Sequence, residues 1–99
     1  MMRHFNLDDY VVDVLMPDLV GHDRRPATFI VYLYFLRHAA RGKRDTLSIS
    51  LQTIATQTGL SKSTVQAAIR HLRRRRLLDP AVLATVSDPV RRVLRPWNR

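Results

Sequence analysis

Apolar residues recur at helical spacing in the first half of the chain. One set of residues lies three or four positions apart, which predicts a first helix that we expect Pro17 to end. Its members are Leu7, Tyr10, Val11, Val14 and Leu15. A second helix is predicted from Ala27 to about Arg41, with Gly42 ending it. Its run TFIVYLYFL is apolar on all sides, so it must be covered all round; a buried strand is the alternative, but the continuation RHAAR favours a helix.

Shorter elements follow. The segment TLSIS, residues 46–50, alternates between polar and apolar positions and predicts one short strand. Ser50 is predicted to cap a third helix, Leu51 to Thr58, and Gly59 to end it. Ser61 is predicted to cap a fourth helix with a single apolar stripe that faces the core. The stripe consists of Val65, Ile69 and Leu72, with Ala68 beside it.

The opposite side of this fourth helix is polar and basic. It carries Lys62, Ser63, Gln66, Ala67, Arg70, Arg73 and Arg74. Two helices joined by a tight glycine-containing turn, the second with short polar residues at its amino end, have the form of a helix-turn-helix. In that arrangement the first helix braces the second, whose amino end enters the major groove of DNA. Taken alone, the run from Arg73 to Arg76 supports little, because two alternatives also explain it: a solvated helix end that complements the helix dipole, or a nuclear import signal if the host is eukaryotic.

The distribution of charge agrees with a polyanionic partner. The chain has 17 Lys and Arg against 8 Asp and Glu, a formal charge of +9, yet residues 1–23 hold five aspartates and a single arginine. Such polarity turns one side towards an anion, although a well-solvated protein of high isoelectric point is the alternative. There is no cysteine, and the longest apolar run, residues 29–36, is too short to cross a bilayer. We therefore expect a cytoplasmic protein.

Residues 47–78, LSISLQTIATQTGLSKSTVQAAIRHLRRRRLL, resemble the core of bacterial winged helix-turn-helix transcription regulators of the GntR-like and MarR-like groups. The resemblance implies sequence-specific binding of double-stranded DNA, with the helix 61–76 in the major groove, a two-stranded wing after it, and often a dimer. One departure is Arg76, where many members have glycine. The predicted DNA-binding residues are Ser61, Lys62, Ser63, Thr64, Gln66, Ala67, Arg70, Arg73, Arg74, Arg91 and Arg92. In a helix-turn-helix, Ser63 and Gln66 occupy base-facing positions; the alternative is that both are ordinary surface residues.

The carboxy-terminal segment allows two interpretations. VLATV and VRRVL, separated by SDP, fit the two strands of a wing, whereas Asp79-Pro80 and Asp88-Pro89 each fit a cap followed by the first residue of a short helix. We predict the wing, because the resemblance implies it, and we expect Trp97 to fold back onto the core. The fold expected is mainly α with a small β-hairpin, a winged helix-turn-helix with additional amino-terminal helices. It forms one domain: an acidic extension (1–25), a helical core (26–78), and a wing with a tail (79–99).

A homodimer held by the first two helices is also predicted. Val12, Met16 and Leu19 form a second apolar stripe if the first segment continues helically past Pro17, and one small core would leave that stripe in water. The alternative is that both stripes pack inside one subunit, between the second helix and the carboxy-terminal tail. A pair of subunits would present two recognition helices to a palindromic site.

Enzymatic function has little support in the sequence. With three glycines there is no glycine-rich phosphate loop, and there is no serine elbow and no zinc-binding histidine pair. We therefore expect no cofactor and no metal. The same fold would also suit a replication initiator that binds DNA, or an adaptor that binds proteins in place of DNA.

Overall fold

The computed structural model describes residues 2–80 and 90–98. Its elements, in chain order, are two π-helical stretches at Val11–Leu15 and Pro17–His22, helix α1 at Pro26–Gly42, strand β1 at Thr46–Ser48, helix α2 at Leu51–Thr58, helix α3 at Lys62–Arg74 and strand β2 at Val90–Arg92. This architecture is mainly helical with a small antiparallel sheet and is that of a winged helix-turn-helix, as predicted. No helix in the described ranges has the length and apolarity needed to cross a membrane.

The prediction that Pro17 ends the first helix is wrong. Pro17 is the first residue of the second π-helical stretch, but the helical run is unbroken from residue 9 to residue 22, so it lies inside a helix that continues past a residue with no N–H to donate. The turns are wide: the N–H of Met16 bonds the carbonyl of Val11, and that of Asp23 bonds the carbonyl of Asp18 at 2.8 Å. We call residues 11–22 the π segment.

The wide turns also change which side chains of the π segment face the core. Residues four apart lie almost above one another in such a helix, and Val11, Leu15 and Leu19 are accordingly buried. Tyr10 and Val14, expected in the first stripe, are about two-fifths exposed. The π segment therefore has one buried row, which combines members of both predicted stripes.

Helix α1 is the centre of the core. Val31, Tyr32 and Phe35 are fully buried, and the helix packs against the π segment, α2, α3 and β1. The Tyr32 hydroxyl, buried among apolar groups, donates a hydrogen bond to the carbonyl of Leu94 at 2.6 Å. The predicted helix and its nearly complete burial are confirmed; Ile30, at 42% exposure, is the main exception among its large apolar residues.

The caps of α2 and α3, and the turn between these helices, have the predicted chemistry. Ser50 Oγ accepts the N–H of Thr53 at 3.1 Å, and Ser61 Oγ accepts that of Thr64 at the same distance. Each hydroxyl thus satisfies an amide that has no partner within its own helix. Gly59 ends α2 with φ of 80°, a left-handed conformation that glycine adopts without steric cost.

Helix α3 ends at Arg74, two residues before the predicted end. Arg76 follows with φ of 56°, its N–H bonds the carbonyl of Arg73, and the N–H of Leu77 bonds the carbonyl of Leu72 at 2.9 Å. This pair of bonds is a Schellman motif, whose left-handed position is usually glycine. The position where the resemblance led us to expect glycine is therefore a left-handed residue, and here arginine occupies it.

The sheet joins the beginning of the helix-turn-helix to the carboxy-terminal segment. Strand β2 pairs antiparallel with β1, placing Leu47 opposite Arg91, and an isolated bridge joins Leu78 to Val93. The segment that follows α3 and the segment that follows β2 therefore run antiparallel at Leu78 and Val93, as at the base of a wing. The predicted second wing strand includes β2, while the predicted first strand, residues 82–86, and the turn at residues 87–89 lie outside the described residues.

The tail returns to the core, as predicted for Trp97. Its indole stacks on the ring of Tyr10 with centroids 4.8 Å apart, meets Tyr32 edge-on, and donates from Nε1 to Asp8 at 2.9 Å. These contacts tie the amino-terminal residues to the tail within one subunit.

Candidate nucleic-acid interface

The exposed side of α3 forms one continuous ridge. Its members are separated by four, three and four residues, which puts them on the same side of the helix, opposite the buried stripe. They are Ser63, Ala67, Arg70 and Arg74, which we call the outer ridge. The buried stripe contains Val65, Ala68, Ile69 and Leu72, as predicted. The packing of the stripe therefore fixes which residues of α3 point to solvent.

Short polar side chains surround the start of this ridge. The hydroxyl of Ser61 lies 2.8 Å from that of Thr64 and 3.2 Å from that of Ser63, while Lys62 is exposed at the first helical position. Amides at a helix start favour negative charge, because they carry the positive end of the helix dipole. The amino end of α3 therefore combines hydroxyls, a lysine and a positive dipole.

A basic groove runs along one edge of the ridge. It is lined by Leu51, Gln66, Ile69, Arg70, Arg73 and Arg91 and is called the Arg91 groove below. Gln66, Arg70 and Arg73 come from α3, whereas Arg91 comes from β2, opposite Leu47 in the sheet. The fold thus brings together three arginines from two distant parts of the sequence.

Arg91 differs from the other cations because it is buried, with 7% of its surface exposed. Its Nη1 donates to the carbonyl of Ile49 at 2.7 Å, but its Nε has no hydrogen-bond partner among the described residues. Burial, and secondly the nearby charge of Arg73, lower the pKa of this guanidinium. Since both effects disfavour the cation, an anion in the groove would stabilise it.

A second groove lies along the other edge of the ridge. On α3 it is lined by Ser63, Thr64, Ala67 and Ala68, and on the connector and the start of α1 by residues 24–28. Arg24 and Arg25 thus stand beside the amino half of α3, and we call this the Arg24 groove. Neither residue was expected at the interface, because both lie in a charged connector between the first two predicted helices. The only signal was their position directly before Pro26 at a helix start.

Two aspartates of the amino-terminal segment, Asp18 and Asp23, contact side chains at the carboxyl end of α3. The carboxylate of Asp23 accepts from His71 Nε2 at 2.7 Å and lies 3.2 Å from Arg75 Nε, and Asp18 pairs with Arg75 as well. The pKa of Asp23 is lowered, first by its hydrogen bond from His22 and then by those partners, against the opposing effect of burial. Arg75 is therefore compensated by acids of the amino-terminal segment.

This cluster also contains three groups with metal-ligand chemistry. Ligand atoms of Asp18, His22 and Asp23 lie within 4.8 Å of one another, which the sequence spacing of the histidines did not reveal. Both carboxylates already bind Arg75, so the contacts are those of an ion-pair network.

The remaining predicted residues are placed as follows. Arg73 is half-buried and lines the Arg91 groove, whereas Arg74 is exposed on the ridge, with Nη2 3.5 Å from His71 Nδ1. Arg92 is exposed on β2, and its Nε lies 3.9 Å from a carboxylate oxygen of Asp79. Of these two predicted DNA-binding residues, Arg91 is therefore buried and Arg92 exposed, because alternation along β2 turns the first inward and the second outward.

The braced helix pair, the small sheet and the basic ridge define a helix-turn-helix protein. Residues 25–78, more than half of the chain, match the model of the helix-turn-helix domain family, and the chain belongs to that family. The family is one of DNA-binding domains. The match is to the helix-turn-helix domain and not to the GntR-like or MarR-like groups in particular. No curated protein and no solved structure matches the chain.

Proposed function

We propose that this protein is a cytoplasmic transcription regulator that binds double-stranded DNA in a sequence-specific manner, with α3 in the major groove. The observation that carries the proposal is the outer ridge of α3, which projects between two grooves lined by arginines. An α-helix with its side chains is about 10–12 Å wide, close to the roughly 12 Å width of the major groove of B-DNA. A ridge of this kind meets base edges, while the flanking cations meet phosphates.

The residues divide into two roles. Ser63, Gln66 and Ala67 are short or neutral groups near the amino end of α3, where a recognition helix contacts bases. Lys62, Arg70, Arg73 and Arg74, with Ser61 and Thr64 at the cap, supply charge and hydrogen-bond donors to the sugar-phosphate backbone. Arg91 and Arg92 assist from β2.

Salt dependence tests the binding mode. If the cations neutralise about five phosphates, the logarithm of the affinity for a random duplex falls with the logarithm of salt concentration at a slope of about −4 to −5. Fluorescence anisotropy with a labelled duplex measures this slope. Absence of binding at low salt, or an affinity independent of salt, contradicts the proposal and leaves a protein-binding adaptor as the better explanation.

Sequence preference tests the base contact. Gln66→Ala should change which duplexes are selected from a random pool, by about 1–3 kcal/mol at one base pair. Arg73→Ala serves as the matched variant, since it should weaken binding to all sequences alike. Equal losses on selected and random duplex for both variants would remove Gln66 from the readout.

We further propose a homodimer held by the π segment and α1. Four apolar side chains there remain about two-fifths exposed although the core is complete: Val12, Val14, Val20 and Ile30. A two-fold pairing through this part of the surface would remove these apolar side chains from water on both subunits. Burial of Val11, Leu15 and Leu19, with the stacking of Tyr10 on Trp97, limits the contact to these outer residues.

Sedimentation equilibrium at micromolar concentration decides the oligomeric state. We expect a dimer mass for the natural sequence and a monomer mass for Val14→Arg. A monomer mass for the natural sequence that does not change with concentration rejects the dimer and leaves the DNA-binding proposal standing.

A further inference from the structure

We propose that Arg24 and Arg25 form a phosphate-binding groove of their own, which binds the DNA backbone opposite to the one that the Arg91 groove binds. This inference rests on the proposed function, because it assigns a second contact to the same recognition helix. It concerns residues outside α3 and outside the wing, in the connector before α1.

Both side chains are uncompensated cations. Arg24 and Arg25 are exposed, and neither has an ion pair or side-chain hydrogen bond with any residue in the described ranges 2–80 and 90–98. The neighbouring Asp23 cannot neutralise them, since its carboxylate is taken by His71, Arg75 and His22. The groove therefore has an unmatched positive charge beside the polar end of α3.

The backbone that carries the two arginines is held on both sides. Before them, Asp23 is tied to α3 through His71, and the N–H of Arg25 bonds the carbonyl of Leu19 at 2.8 Å. After them, Pro26 begins α1, and the N–H of Thr28 bonds the carbonyl of Arg25 at 3.0 Å. A phosphate contact from this connector would cost little further backbone ordering.

The position of the groove selects the phosphate backbone as its ligand. Ser63 and Ala67 of the outer ridge line the Arg24 groove, whereas Gln66 and Arg73 line the Arg91 groove at the other edge of α3. A helix lying in the major groove has one sugar-phosphate strand along each edge. With the ridge on the bases, one strand faces Arg24 and Arg25 while the other faces Arg73 and Arg91.

The test compares two double variants that lose the same charge. Arg24→Gln with Arg25→Gln should reduce the steepness of the salt dependence on a random duplex by about 1.8, since each lost phosphate contact contributes about 0.9. Between 50 and 200 mM salt, the affinity of this variant should therefore fall about twelvefold less than that of the natural sequence. The matched control is Arg41→Gln with Arg44→Gln; Arg41 lies at the far end of α1, about 24 Å along the helix, and Arg44 lies just after that end. It should leave the slope nearly unchanged.

Two further variants separate contact from fold and one groove from the other. Arg24→Lys with Arg25→Lys should restore the natural slope, because a lysine also releases counterions when it meets phosphate. Adding Arg91→Met to the glutamine variant should lower the slope by about 0.9 more, since the two grooves hold different phosphates. Unfolding midpoints within a few degrees of the natural protein would show that the variants are folded.

The ways in which the test can fail are distinguishable. Absence of duplex binding by the natural protein rejects the proposed function itself. Normal binding with an unchanged slope for the Arg24 and Arg25 glutamine variant, or an equal reduction in the control, overturns this inference alone. A triple variant whose slope equals that of the double variant would overturn the assignment to separate backbones.

Discussion

Replacing Arg91 by methionine should separate DNA binding from stability. The guanidinium is buried and donates a hydrogen bond from Nη1 to the carbonyl of Ile49. Its Nε has no hydrogen-bond partner among the described residues. A buried unpaired donor costs about 1–3 kcal/mol, and a hydrogen bond from a charged group contributes about 1.5–3 kcal/mol. These two effects on stability nearly cancel, and a methionine keeps most of the aliphatic packing of the arginine. The free energy of unfolding of Arg91→Met should therefore stay within about 1 kcal/mol of the natural value.

The DNA affinity should respond quite differently. An anion in the Arg91 groove would complete the hydrogen bonding of a desolvated cation, a contribution of about 1.4 kcal/mol or a factor of ten in affinity. We therefore expect about tenfold weaker binding to random duplex at fixed salt and a slope of the salt dependence that is smaller by about 0.9. Chemical denaturation and fluorescence anisotropy on the same preparation measure both quantities.

Arg95→Met is the control for this experiment. This substitution removes the same charge, but from the tail, where Arg95 Nη1 pairs with Asp45 at 2.7 Å. A partly exposed pair of this kind contributes about 0–1 kcal/mol, so stability should change little and duplex binding should be nearly natural. A loss of more than about 3 kcal/mol for Arg91→Met would show that Arg91 is a structural link between β2 and the helix-turn-helix. Unchanged affinity would show that no phosphate occupies its groove.

Three further changes test the local physics. Arg76→Gly should stabilise the protein by about 0.5–1 kcal/mol, because it removes a left-handed residue costing about 1–2 kcal/mol at some expense in chain entropy; an unchanged unfolding midpoint would refute this. Asp23→Asn should cost about 1–3 kcal/mol near neutral pH. Because the folded pKa of Asp23 is lowered, this difference should shrink as pH falls below about 4, and persistence at pH 2 would contradict the assignment. Burial, with help from Arg37, lowers the pKa of His38, so stability should fall as pH drops below about 6.5, and His38→Gln should remove that part of the loss in a pH series of denaturation curves.

Local chemistry explains why the helix-turn-helix could be predicted from sequence. Ser50, Ser61 and Gly59 act on amides and carbonyls within four residues of themselves, so their roles do not depend on the rest of the fold. Pro17 failed as a signal because the wide turns of the π segment carry the helix through a residue that usually ends one. The packing of the π segment on α1 favours this continuation, and no local pattern contains that information.

The positions of the residues around α3 depend on tertiary register instead. Arg91 is buried because the pairing of β2 with β1 puts it opposite Leu47, and a shift by one residue would bury Arg92. Arg24 and Arg25 lie beside α3 because α1 crosses α3 near the amino ends of these two helices. Neither fact follows from charge or spacing along the chain.

The arrangement of acids favours one part of α3 as the DNA contact in the proposed binding mode. Asp18 and Asp23 contact His71 and Arg75, at the carboxyl end of the helix. Along its amino half, by contrast, the described residues place no acid against Lys62 or Arg70. Charge repulsion from phosphates is therefore smallest at the amino end, where the hydroxyls of the cap and the positive helix dipole also lie. In the proposed binding mode, the same acids that stabilise the far end of α3 would thus direct the DNA towards its amino half, between the two arginine grooves.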